Sequence, residues 1–75
     1  MSDPFDAEYM NGRSIRWIST FITTLRSAAN MDSSLVQASV RLFCFLPREE
    51  VPDDPKDAAY LFVARIAINN ALATP

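Results

Sequence analysis

The sequence predicts a small all-α domain of three helices that forms a homodimer packed through the third helix. Three observations carry this expectation. Apolar residues recur at helical spacing from Arg13 to Asn30. Prolines stand at the edges of the apolar stretches and never inside them. The stretch from Pro55 to Ala73 is apolar around nearly its whole circumference, which a chain of 75 residues has little other mass to cover.

Asp3 is a good helix N-cap and Pro4 suits a first-turn position, so residues 4–10 are expected to form a short turn. Asn11-Gly12 then breaks the chain. The first helix is expected over about 13–30. At ~100° per residue, Ile15, Trp17, Ile18, Phe21, Ile22, Leu25, Ala28 and Ala29 fall in one arc of about 160°. The opposite arc carries Arg13, Arg16 and Arg26 among serines and threonines, with no acidic residue between Gly12 and Met31.

Asp32 is placed to cap a second helix over 33–46, with Met31 and Val36 spaced as a hydrophobic staple and Pro47 as its stop. Leu35, Val36, Val40, Leu42, Phe43 and Leu46 share its apolar face, and Phe45 falls off that face. Residues 35–46 also alternate, which leaves an intermolecular strand as the alternative. An acidic, proline-containing loop follows at 47–54 and is expected to be exposed. Asp54 and Pro55 then start a third helix over 55–73.

All of this fits one domain spanning residues 1–75. On the third helix, Leu61, Ala64, Ile68, Ala71 and Leu72 are expected to face the first two helices. Phe62, Val63 and Ile66 are left for the dimer interface.

Composition narrows the function. There is no histidine, which removes the commonest general base and the usual partner of a serine or cysteine nucleophile. The single cysteine, Cys44, excludes a disulfide framework and reads as a packing thiol in a reducing, cytoplasmic setting. One thiol without histidine cannot build a zinc site, and no cofactor cradle can be built around Gly12 alone. The carboxylate pairs Glu49-Glu50 and Asp53-Asp54 lie where nothing desolvates them, so acid–base work is not expected of them. The start of the chain lacks the cationic and apolar pattern of a signal peptide. No apolar run approaches the ~20 residues needed to span a bilayer. The first helix is amphipathic enough to lie on a membrane, but the core is the better use of its apolar face.

The expectation is therefore a non-catalytic regulatory protein that binds a larger protein, in the manner of inhibitors, adaptors or small phage-encoded factors. Partner contacts are expected from Arg13, Arg16, Trp17 and Arg26, since arginine beside tryptophan is a frequent interface anchor. The alternatives are a nucleic-acid-binding regulator using the Arg13/Arg16/Arg26 face, or a structural subunit of a larger assembly. A net charge of −2 and so few cations on one face argue against tight binding to duplex DNA.

Overall fold

The computed structural model describes residues 12–73 and contains three α-helices: α1 (Ile15–Ala28), α2 (Ser33–Phe45) and α3 (Pro55–Ala73). A single 3-10 turn, Arg48–Glu50, lies in the loop between α2 and α3. The turn expected over residues 4–10 lies outside the described residues. Residues 33–45 are helical, so the strand alternative does not apply. There is no strand among the described residues.

The helix ends follow from short-range chemistry. Gly12 has φ +71°, the left-handed backbone a break requires, and its carbonyl accepts a hydrogen bond from Arg48 Nη1 at 3.4 Å. Ser14 caps α1 by accepting from the Trp17 backbone N–H at 3.1 Å. At the other end α1 closes two residues earlier than expected, in a Schellman arrangement. The Met31 N–H donates to the Arg26 carbonyl at 2.9 Å and the Asn30 N–H to that of Ser27 at 3.1 Å. Asn30 takes the left-handed position often given to glycine, at φ 58°, and Met31 follows at φ 63°. This turn leaves Met31 largely exposed, beside a cleft that it lines together with Val36.

Asp32 caps α2 as expected, its carboxylate accepting from the N–H groups of Ser34 and Leu35 and from the Ser34 hydroxyl. The Ser34 hydroxyl, followed by the Leu35 N–H, holds the Asp32 carboxyl below its ordinary range. That cap is at full strength above the ordinary carboxylate range and is lost as pH falls through the lowered value. Asp54 caps α3 by accepting from Lys56 N–H at 2.8 Å, with Pro55 in the first helical position.

The core is built from Ile18, Phe21, Leu25 and Ala29 of the α1 region, Phe43 of α2, Val51 of the loop, and Ala58, Ala59, Phe62 and Val63 of α3. Phe21, Phe43 and Phe62 form an aromatic centre, with Phe21 and Phe43 ring centroids 4.7 Å apart and Phe62 edge-on to Phe21 at 6.0 Å. Ser39 is the buried polar residue of α2, and its hydroxyl donates to the Leu35 carbonyl at 2.9 Å. The loop expected to be exposed is so at most of its residues but is anchored by Val51, which is buried.

Helix α3 packs chiefly on α1 and secondarily on α2. Its orientation about its own axis corrects the sequence expectation. Phe62 is fully buried, Val63 is 8% exposed and Ile66 is half-buried on the same face, so these three belong to the monomer's core side and not to an outer interface. Leu61, Ala64, Ile68, Ala71 and Leu72 face away from the bundle. The physical reason lies in length and in two asparagines. Helix α3 has 19 residues against 14 in α1 and 13 in α2, so its last turns run past its neighbours. Seven and eight residues beyond Phe62, the face that packs inward continues as Asn69 and Asn70, which are exposed. Turning α3 the other way would expose two bulky core residues, Phe62 and Val63, and bring in only Leu61 and Ala64, because Ile68, Ala71 and Leu72 lie in the overrun with the asparagines.

Candidate protein-binding surface

Of the four side chains expected to meet a partner, two are used internally. Arg13 stands before the first helical residue and is only 4% exposed. Its guanidinium lies over the Trp17 ring at 4.5 Å, donates to the Val51 carbonyl at 3.3 Å and approaches the Asp53 carboxylate at 3.5 Å. Trp17 in turn stacks on Phe21 (5.3 Å) and Phe43 (5.5 Å), and its Nε1–H donates to the Asp53 carbonyl at 2.6 Å. Arg13 and Trp17 therefore pin the 47–54 loop to the start of α1. That is a folding task, and it takes Arg13 off the surface on which it was expected.

A charge reversal separates these roles. Arg13→Glu places a carboxylate in the buried site and is expected to lower stability by at least about 2 kcal/mol. Because Asp53 is fully exposed, the ion pair itself contributes only a small part of that. Arg16 is exposed, and Arg16→Glu is expected to change stability by less than about 0.5 kcal/mol. Urea melts of the two variants check this; indistinguishable midpoints would mean that Arg13 is solvated.

Arg16 and Arg26 remain exposed but do not form one patch, being ten residues and so about 15 Å apart along α1. Arg26 borders a shallow cleft of about 330 Å³ together with Met31, Ser33, Val36 and Gln37. Cys44, expected in the core, lies on the exposed side of the last turn of α2. Partial desolvation of its sulfur raises the thiol above its ordinary pKa, which disfavours the reactive thiolate. Among the described residues no three carboxylate or thiol groups come together to hold a metal ion. Among them, too, no helix is long and apolar enough to cross a membrane.

The surface that sequence reasoning assigned to the core is the one the fold presents outward. Leu61, Ala64, Ile68, Ala71 and Leu72 lie within an arc of about 100° at ~100° per residue. Ile68 is 60% and Leu72 80% exposed, and Tyr60 and Ala67 border one edge of the stripe. From Ala58 to Ala73 the one charged residue is Arg65, at the opposite edge. The spacing 61, 64, 68, 71 alternates three and four residues, the pattern by which one helix seats another. An apolar helical stripe of this kind on a small domain is a candidate interaction surface. The legible signal was Asn69-Asn70, whose position on the wheel opposes this stripe. Comparison with protein-family models, with curated proteins and with solved structures finds no match to this chain.

Proposed function

We propose that this chain is a non-catalytic protein-binding module, a regulator of the inhibitor or adaptor type acting in the cytoplasm, and that it works through the outer face of α3. The single observation that carries the reading is the outward stripe Leu61, Ala64, Ile68, Ala71 and Leu72 on a helix that overruns its own bundle. Burying such side chains against another helix contributes roughly 1.5–3 kcal/mol for each large one. Homodimerisation through the third helix belongs to this reading, moved from Phe62, Val63 and Ile66 to the opposite side of the helix. A larger protein partner would present a helix of similar character. The polar arc of α1 plays a lesser part, because Arg13 faces inward and the two remaining arginines stand apart.

The test compares three forms of the tagged chain as bait in a host extract, with captured proteins identified by mass spectrometry. These are the wild type, Leu61→Ser with Ile68→Ser, and Arg16→Glu with Arg26→Glu. All four positions are exposed, so the melting curves should stay close to that of the wild type. The serine variant is expected to lose what the wild type captures, and the glutamate variant to keep it. Loss by the glutamate variant alone would return the function to α1.

A further inference from the structure

We propose that the outer stripe of α3 pairs with a second copy of this chain in antiparallel fashion, about a two-fold axis crossing α3 at the level of residue 66. This rests on the reading that the outer face of α3 is the binding face. The argument is the order of side-chain sizes along the stripe: Leu61, Ala64, Ile68, Ala71.

In the reversed register Leu61 meets the partner's Ala71 and Ala64 meets the partner's Ile68, and the symmetry repeats both contacts. Each of these four layers then combines one large and one small residue and fits one interaxial distance, while Leu72, at the Arg65 edge, falls level with the partner's Tyr60. A parallel pairing would instead stack leucine on leucine, alanine on alanine and isoleucine on isoleucine. The bulky layers would hold the helices apart while the alanine layers stayed empty. The stripe read in reverse is thus complementary to itself, which is the argument for a second copy of the chain as its occupant.

The geometry of the monomer permits it. The stripe faces away from α1 and α2, so each bundle lies on the far side of its own α3. Beyond Ile66 no described residue of α3 is buried or half-buried by its own chain, and the antiparallel register lays this overrun against the bundle-proximal half of the partner's α3. With Leu61 47%, Ile68 60% and Leu72 80% exposed, a single-helix stripe of this kind offers an interface at the small end of the range for specific association. The pair is therefore expected to form at micromolar concentration rather than to be permanent.

One feature of the register is a local cost. The two-fold axis keeps each edge of the stripe on its own side, so Arg65 and the partner's Arg65 flank the same edge, offset by only about 3 Å along the helix direction. Their stems can splay into water, but the like charges repel. Arg65→Gln is therefore expected to tighten the dimer about two- to threefold at low salt. That direction is diagnostic. The substitution makes each chain more negative than its present −2, which would weaken association if only overall charge mattered.

The experiment uses the full chain with Cys44→Ala, so that a single introduced cysteine carries a spin label. Sedimentation equilibrium across micromolar concentrations should show a monomer–dimer equilibrium, tightened by Arg65→Gln and abolished by Leu61→Ser with Ile68→Ser. A label at Lys56→Cys, an exposed position on α3, should report a separation near 30 Å, since ten residues lie between it and the axis on each chain. A parallel pair would bring the labels within about 20 Å of each other, because packed helix axes are only about 8–10 Å apart. A short distance, or weakening by Arg65→Gln, would overturn the register. A wild type that stays monomeric yet captures another protein through Leu61 and Ile68 would overturn self-pairing and leave the binding face standing. A dimer indifferent to the serine substitutions would overturn both.

Discussion

Trp17→Ala is expected to destabilise the domain by about 4 kcal/mol, within the range typical of removing a large aromatic side chain from a packed cluster. Two ring stacks, at 5.3 Å to Phe21 and 5.5 Å to Phe43, would go with the indole. The Arg13 guanidinium would lose the ring beneath it, and the Asp53 carbonyl its donor. These losses are coupled, because the indole is the piece through which α1, α2 and the 47–54 loop meet. A chain this short has a stability margin of only about 5 kcal/mol, so the alanine variant should be largely unfolded at physiological temperature. Trp17→Phe keeps the stacked ring and removes the Nε1–H, so it should lose about 1 kcal/mol, the size of one hydrogen bond. Urea titration followed by circular dichroism measures both. A loss below about 1.5 kcal/mol for the alanine variant would show that the cluster is not assembled as described.

Much of this fold was legible in the sequence, and the misreadings have identifiable causes. The apolar stripe of α1, the Asp32 and Asp54-Pro55 starts and the Pro47 stop are local signals, and the helices appear where those signals place them. Phe45 was expected off the core face of α2 and is exposed. Arg13 was misplaced because the helix begins at Ile15; a residue before the Ser14 cap has no helical phase, so a wheel says nothing about its direction. Val51 was missed because one apolar residue in an acidic loop has no periodicity to reveal it. The outer face of α3 was misread for another reason. A wheel averages over the whole helix, whereas this one carries two faces in series. Its first half is apolar inward through Ala58, Ala59, Phe62 and Val63. Its second half is polar on that side at Asn69 and Asn70 and apolar outward. Superposed, the two halves look like an apolar cylinder. Read in sequence order against the lengths of α1 and α2, they describe a helix that leaves its own bundle.

This division gives the sharpest contrast between two substitutions on one helix. Phe62→Asp is expected to abolish folding. Phe62 is fully buried, edge-on to Phe21 and 6.4 Å from Phe43, so an aspartate there loses the aromatic contacts and must either bury an uncompensated charge or take up a proton. Either route exceeds about 4 kcal/mol, comparable to the whole margin of the domain. Ile68→Asp, six residues further on, changes a side chain that already meets water and should shift the urea midpoint little, leaving a cooperative transition. On the surface reading its effect falls elsewhere: a charge in the middle of the stripe must be desolvated by any helix seated there, so association should fall by an order of magnitude or more. If α3 were rotated by half a turn, Phe62→Asp would meet water and leave a cooperative transition near that of the wild type. Circular dichroism of the two variants, each over a urea series, decides between these orientations.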